Sequence, residues 1–232
     1  MRKLVKLLAV VMVFVTALSG VAMADTISEP SVYARSASLY NPDEETFLYS
    51  KDMETKIYPA SMTKILTAII LLEYFEPDDI IVVGSEVNEV SLDSSKAGHI
   101  NGESLSVETI IRGLIVPSGN DTAVVAACAV ARKYKDDQNL NYSQCMTVFS
   151  TLMNDKAASF GCTNTHFSNP HGYHADDHYT TCHDMALIVA QALKNDLICQ
   201  VSKEKSYSGS GVGSAAVSAN AVVQNYNWVS HN

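Results

Sequence analysis

Basic residues are scarce in this sequence. Its 232 residues include 16 lysines and arginines against 25 aspartates and glutamates, which gives a formal net charge of −9. Three of the basic residues precede residue 24, whereas every acidic residue follows it. A surface that binds nucleic acid needs clustered positive charge, so this balance argues against nucleic acid as a partner.

Long apolar runs and a dense cysteine framework are also missing. After residue 24 no apolar run approaches the roughly 20 residues that a transmembrane helix needs, and the run over 65–72 is too short. The five cysteines are odd in number and widely spaced, so the sequence does not indicate a disulfide pairing. Cys128 lies in an alanine- and valine-rich stretch, and we expect it to be a small core residue.

Residues 1–24 have the order of features of a secretory signal peptide. Three basic residues come first, a mostly apolar run covers 7–18, and a small-residue cleavage site ends at Ala24. We therefore expect cleavage after Ala24, export from the cytoplasm to the cell envelope, and one domain over 25–232. The alternative is a retained anchor, for which the apolar run is short. The sequence shows no C-terminal anchor, so association of the exported protein with the membrane stays open.

The rest of the chain has strand patterns at its two ends and helical patterns between them. The segment 84–106 is polar and predicts a loop-rich excursion, and 206–220 is rich in serine, glycine and alanine. This order favours an α+β or α/β/α domain with a helical middle. The sequence predicts strands within 32–40, 46–50, 78–84 and 221–229, and helices within 58–75, 106–117, 118–134, 142–160 and 181–195.

One lysine stands in the first turn of an otherwise apolar helix, in the stretch YPASMTKILTAIILLEYF. Residues three apart share a helix face, so Ser61 and Lys64 come within reach of each other. Burial disfavours a charged ammonium, and a neutral Lys64 would be a base beside a nucleophilic hydroxyl. The alternative is that Ser61 caps the helix and Lys64 extends into solvent. The spacing alone does not decide, because Ser202 and Lys205 match it as well.

A second polar motif, Ser118-Gly119-Asn120, lies on a tight turn between two apolar helices. Such a turn lets a hydroxyl and an amide project into a cleft, and we expect Ser118 and Asn120 to face the same cleft as Ser61. The motif alone is weak, because Ser-x-Asn occurs twice more near the end of the chain. Its place between two apolar helices is what favours a functional interpretation.

Taken together, the two motifs resemble those of the penicillin-binding D-alanyl-D-alanine carboxypeptidases, a family of Ser-x-x-Lys acyltransferases. The resemblance is carried by YPASMTK, NGESLSVETIIRGLIVPSGNDTA and THFSNPHGYHADDHYTTCHDMALI, and it extends over roughly residues 30–232. It implies an α/β (α+β) fold of the β-lactamase/transpeptidase type, with an antiparallel sheet and a helical subdomain.

The resemblance also implies roles for four residues. Ser61 would be the acylated nucleophile, Lys64 the base, Ser118 a proton relay and Asn120 a ligand of the substrate's peptide. The backbone N–H of Ser61 would be one oxyanion donor. The implied substrate is a peptidoglycan stem peptide ending in D-Ala-D-Ala, and β-lactams would acylate the same serine. No cofactor is implied.

A third motif of that family, Lys-Thr-Gly, is absent, since no lysine of this sequence is followed by threonine. The resemblance puts this motif on a late strand, so we expect the C-terminal strands of the sheet to be missing. Its lysine would hold the substrate carboxylate, and its strand would supply the second oxyanion donor. The alternative function is therefore a truncated, non-catalytic protein that binds peptidoglycan or penicillin without turnover.

Two further patterns in the sequence relate to other functions. Five of the seven histidines fall within 166–183 beside aspartates, a composition that suits zinc. The only His-x-x-x-His pair, His174 and His178, lies in a loop-like stretch without a glutamate base, so we predict no metal site. The segment Asp137–Asn141 is weakly similar to the Glu-x-x-Leu-Asn of class A β-lactamases, which makes β-lactamase a distant alternative.

Overall fold

A computed structural model describes residues 30–210 and 225–230 of the chain. Over these residues it has six α-helices and three antiparallel strand pairs. The helices are α1 (Thr63–Tyr74), α2 (Val107–Ile115), α3 (Asn120–Lys135), α4 (Tyr142–Ser159), α5 (Cys182–Ala192) and α6 (Asp196–Val201). The strand pairs are β1 (Ala37–Asn41) with β2 (Thr46–Lys51), β3 (Ile80–Val82) with β4 (Ser104–Ser106), and β5 (Ser206–Ser210) with β6 (Asn225–Val229).

Helix α1 lies at the centre of the helical part and packs against α2, α3, α4 and α5. Its sequence explains this position, because apolar residues occupy every side of the helix and a helix of that kind is stable only when it is surrounded. Leu66, Ala68, Ile70 and Leu71 are all at most 1% exposed. The start of α1, which carries the Ser-x-x-Lys motif, is therefore fixed by the packing of four other helices.

Helix α3 is the other deeply buried helix. It is rich in alanine and valine, and these small side chains let its neighbours approach closely. Cys128 on this helix is fully buried against Ala131 and Cys145, which confirms its predicted place in the core. Among the described helices, none combines the length and the apolar character that a membrane crossing requires.

The helix ends follow local capping chemistry, with two exceptions. Ser106 accepts a hydrogen bond from the Thr109 N–H and starts α2, and Asn141 forms a capping box with Gln144 at the start of α4. By contrast, α1 and α3 begin without any side-chain cap. These two are the helices that carry the predicted site residues, so their first turns must be held by contacts from elsewhere in the fold.

The structure confirms most of the predicted elements and adds three. The predicted N-terminal hairpin is β1 with β2, the strand within 78–84 is β3, and the five predicted helices are α1 to α5. The sequence interpretation missed β4, α6 and β5, which are only three to six residues long. Such short elements are set by their partners rather than by their own pattern. Residues 1–24 and 221–224 lie outside the described residues, and the described end of the fourth predicted strand is β6.

Candidate active site

Ser61 lies on a 3-10 turn, Ala60–Met62, that leads directly into α1. The chain enters this turn through Ala60 in the left-handed region, with φ of 49°, a conformation that residues other than glycine rarely adopt. Ser61 is exposed, whereas Thr63 and Lys64 are buried. Its hydroxyl thus stands at the positive end of the α1 dipole, where developing negative charge is stabilised.

Lys64 is only 2% exposed, and its Nζ meets three oxygen atoms. It lies 3.1 Å from Ser61 Oγ, 3.3 Å from Ser118 Oγ and 3.0 Å from the carbonyl oxygen of His171. The predicted contact between Ser61 and Lys64 is therefore present. The alternative, in which Ser61 caps the helix and Lys64 extends into solvent, is wrong, because the lysine is buried and the helix has no side-chain cap.

The burial of Lys64 changes its acidity. Burial lowers the pKa of Lys64 from 10.5 to about 8, and the nearby Asp121 carboxylate offsets part of this effect. The carbonyl of His171 can only accept, so it takes one N–H. A neutral amine then has one N–H and one lone pair left for the two serine hydroxyls. This arrangement can accept a proton from one hydroxyl and return a proton through the other.

Ser118 reaches Lys64 from the connection between α2 and α3. It is half-buried, and its backbone is in the left-handed region, with φ of 56°. The adjacent backbone is fixed by two hydrogen bonds, from Gly119 N–H to Gly113 O and from Asn120 N–H to Ser95 O. A serine kept in a strained conformation beside a buried amine is typical of a functional site.

The four predicted site residues do not all share one cavity. Ser61, Lys64 and Ser118 line a cavity of about 590 Å³ whose other walls are mainly apolar side chains of α1, α2, α5 and α6. Its volume suits a small-molecule or short-peptide ligand. Asn120 is the first residue of α3 and is 7% exposed, and it is not among the residues that line this cavity. Its contact with a substrate stays a prediction.

A segment that sequence reasoning treated only as a loop holds the start of α1. We call residues 168–173 the strap. Thr67 donates its hydroxyl to the Pro170 carbonyl at 2.6 Å, and Lys64 donates to the next carbonyl, that of His171. Gly172, with φ of 82°, lies so close to the Ala60 carbonyl that a Cβ on it would be 1.7 Å from that oxygen. The Asn-Pro-His-Gly turn signal was visible in the sequence, but its partner was not.

Rings of the histidine-rich segment make hydrogen bonds within the protein. His171 Nδ1 accepts from the Tyr173 N–H, and His183 Nδ1 lies 3.0 Å from the Asp184 carboxylate. Over the residues that the structure describes, no three His, Cys, Asp or Glu side chains converge as a metal site.

The residues that resemble the β-lactamase motif have local roles. Asn141 caps α4, and the carboxylate of Asp137 accepts from the Asn139 N–H at 2.8 Å. Asp137 and Leu140 also line a different cavity from the one that contains Ser61. Local turn and cap formation therefore explains this motif without a catalytic role.

Comparison with known proteins places this geometry in a family. Residues 23–231 match the model of the family described as D-alanyl-D-alanine carboxypeptidase. The chain is 31% identical over 202 residues to the D-alanyl-D-alanine carboxypeptidase DacF of Bacillus subtilis and 30% identical over 206 residues to DacC of Escherichia coli. These matches cover 85% and 84% of this chain but 49% and 48% of those proteins. The chain thus spans about half the length of the curated relatives it matches.

Solved structures show the same fold. The Streptomyces K15 DD-transpeptidase superposes with a TM-score of 0.77 and 26% identity, over 89% of this chain and 76% of that one. The D-alanyl-D-alanine carboxypeptidase DacD from Francisella tularensis gives a TM-score of 0.67 and 27% identity, over 82% of this chain and 44% of that one. The β-lactamase-like fold that the resemblance implied is therefore confirmed.

Proposed function

The chain belongs to the D-alanyl-D-alanine carboxypeptidase family, and on that basis we propose that it is a serine-type D-Ala-D-Ala carboxypeptidase. In this reaction Ser61 Oγ attacks the carbonyl of the penultimate D-alanine of a peptidoglycan stem peptide. The terminal D-alanine leaves with a proton on its amine, and a water molecule then hydrolyses the ester on Ser61. β-Lactams acylate Ser61 by the same attack.

The observation that carries this proposal is the contact of one buried amine with two hydroxyls. A neutral Lys64 takes the proton of Ser61 as the oxygen attacks, which is the base-and-nucleophile arrangement of covalent catalysis. Ser118, within 3.3 Å of the same nitrogen, passes a proton to the departing amine. Asn120 is assigned to the substrate's peptide by the family resemblance.

Two assays with one matched pair of variants test this function. The unchanged chain is expected to be labelled by a fluorescent penicillin and to release D-alanine from a stem pentapeptide. Ser61→Ala should abolish both, because it removes the nucleophile. Ser143→Ala, which changes an exposed serine on α4, should leave both unchanged. Labelling or release that persists in Ser61→Ala would contradict the proposal.

The second candidate function is a protein that binds penicillin or peptidoglycan without turnover. Turnover asks more of the site than labelling does, because it also needs a partner for the substrate carboxylate and a complete oxyanion hole. Losing one oxyanion donor typically costs about 10²–10³ in rate. Labelling at Ser61 together with negligible D-alanine release would therefore support this second function.

We also propose that the protein is exported and works at the cell envelope. The proposal is supported by the signal-peptide pattern of residues 1–24 and by the extracytoplasmic place of a peptidoglycan substrate. N-terminal sequencing of the protein recovered from the cell envelope is expected to begin at Asp25. A chain that keeps residues 1–24 would contradict cleavage.

A further inference from the structure

His178 is a buried histidine whose protonation state the structure specifies. It is 1% exposed, and its Nδ1 lies 3.1 Å from the backbone N–H of Ser168. A backbone N–H can only donate, so Nδ1 must be the accepting nitrogen. The pKa of His178 is lowered to about 4, chiefly by burial, so the ring is neutral near pH 7. The single ring proton is therefore on Nε2.

That proton points to the Ser-x-x-Lys motif itself. His178 Nε2 lies 2.8 Å from Thr63 Oγ1, so the ring donates to this hydroxyl across 115 residues of sequence. Thr63 is the residue between Met62 and Lys64, and it is 1% exposed. Its backbone N–H in turn bonds to the carbonyls of Ala60 and Ser61. One hydrogen-bonded path thus connects the imidazole with the turn that carries the nucleophile.

The turn needs such support from elsewhere in the fold. Ala60 is in the left-handed region, and neither the 3-10 turn nor α1 has a side-chain cap. Residues in sparsely populated backbone conformations cost on the order of 1–3 kcal/mol each and persist only where their surroundings hold them. The strap contributes steric contact at Gly172 and carbonyl acceptors for Thr67 and Lys64. His178 contributes the donor to Thr63.

We propose that His178 is a positioning residue for the nucleophile and its base. By holding Thr63, it keeps the first turn of α1 in the geometry in which Ser61 Oγ and Lys64 Nζ meet. The inference rests on the proposed role of Ser61, but it concerns a residue that never touches the substrate. It predicts that the donor at Nε2, and not merely the bulk of the ring, determines the acylation rate.

Two substitutions of His178 separate the donor from the acceptor. Gln places an N–H near the position of Nε2, whereas Asn places an acceptor near Nδ1 and leaves Thr63 without a donor. The second-order rate constant for labelling by a fluorescent penicillin is expected to fall roughly 10- to 100-fold in His178→Asn, as for a buried polar group left unpaired. His178→Gln should retain most of the rate. Equal losses in the two variants would overturn the proposal.

Variants of Thr63 test the same bond from the other side. Thr63→Ser keeps the hydroxyl and should label like the unchanged chain, whereas Thr63→Val should be as slow as His178→Asn. Because the two residues share one bond, the double variant should be no slower than either single one. If Thr63→Val labels at the unchanged rate, or if the two losses multiply, His178 does not act through Thr63.

A measurement without activity distinguishes failure of this inference from failure of the proposed function. The ¹⁵N shifts of the His178 ring should show Nε2 protonated and Nδ1 unprotonated. The backbone amides of 61–64 should exchange with solvent faster in His178→Asn than in His178→Gln. If the unchanged chain is not labelled by penicillin, the proposed function fails while these two readouts still decide the positioning role. A ring protonated at Nδ1, or equal exchange in both variants, would overturn it.

Discussion

Two stretches of the chain have the same Ser-x-x-Lys spacing, but they lie at opposite ends of helices. Ser61 precedes the start of α1, so that Lys64 falls on the first turn of a buried helix. Ser202 forms the C-terminal cap of α6, and Lys205 follows on an exposed stretch before β5. Lys64 is 2% exposed and contacts the Ser61 hydroxyl. In the described part of the chain, no such contact joins Ser202 and Lys205.

The comparison shows that the spacing brings the serine and lysine side chains within reach of each other, whereas the surrounding structure determines their chemistry. At the first stretch the helix axis points its positive end at the serine, and the core removes water from the lysine. The strap then provides an acceptor for the lysine at the His171 carbonyl. At the second stretch the serine lies at the negative end of a short helix and the lysine is in solvent. An identical pattern therefore gives a buried amine in contact with a hydroxyl in one place and two surface residues in the other.

The largest effect is expected from removing each lysine amine in turn. Lys64→Met keeps the length and apolar stem of the side chain but has no proton acceptor, so penicillin labelling should slow by roughly 10²–10⁴, the usual contribution of a general base. Lys205→Met should label at the unchanged rate. Stability measured by urea unfolding should not fall in Lys64→Met, because the substitution removes a buried ionisable group and retains its packing. Similar slowing in both variants would show that the two stretches do not differ as described.

A smaller effect is expected from disturbing the strap, which only the first stretch possesses. Gly172→Ala places a Cβ 1.7 Å from the Ala60 carbonyl, so the strap must move away from the turn. Gly161→Ala is the matched control, because its φ of 87° is similar to the 82° of Gly172 but its Cβ meets nothing closer than 3.8 Å. Both variants incur the same backbone strain, and only one incurs the clash.

The free energy of unfolding is therefore expected to fall roughly 1–3 kcal/mol further in Gly172→Ala than in Gly161→Ala, as for other overpacked positions. Penicillin labelling should slow in Gly172→Ala alone, because the His171 carbonyl is displaced from Lys64. Urea unfolding curves and labelling rates check both expectations. If both variants lost equal stability and labelled alike, the strap would have no special part in the site.

Much of the helical architecture and part of the site could be predicted from the sequence. The apolar spacing of α1 and the Ser-x-x-Lys pattern are local, so they predicted both the helix and the Ser61–Lys64 contact. The turn before α3 predicted that the Ser118 hydroxyl projects into a cleft, but its contact with Lys64, 54 residues away, could be seen only in the fold. The family resemblance supplied the roles that spacing alone left open.

The strap and His178 could not be predicted, for a physical reason. Their contacts with α1 join residues more than 100 positions apart, and the acceptors that the strap provides are backbone carbonyls, which any sequence contains. The composition of 166–183 instead suits metal ligands, because composition does not distinguish a histidine or aspartate that binds zinc from one that stabilises a turn. The short β4 and α6 were missed because their patterns are too brief to be distinguished from loops.

The last effect on the labelling rate is its pH dependence, which concerns only the buried lysine. Burial lowers the pKa of Lys64 to about 8, so the neutral base is a minor form at pH 6 and the major form at pH 9. The labelling rate should rise roughly tenfold per pH unit up to pH 8 and then level off, as expected for a single basic group. Lys205→Met should have the same profile. A flat profile from pH 6 to pH 9 would mean that a neutral Lys64 is not the base.

The same group makes a distinct contribution to stability, and its sign follows from the direction of the shift. The folded pKa of about 8 is below the unfolded value of 10.5, so between these pH values the unfolded chain binds more protons than the folded one. The cost of burying the ammonium is fully present below pH 8 and is relieved as the pH rises to 10.5. The half-buried His171 and the buried His178, whose pKa values are lowered to about 4, lose their protons well below this window. The contribution of Lys64 is the stability of the unchanged chain minus that of Lys64→Met. This difference in stability should therefore rise between pH 8 and 10.5, by on the order of 3 kcal/mol. A stability difference that stays constant across this pH range would refute the assignment.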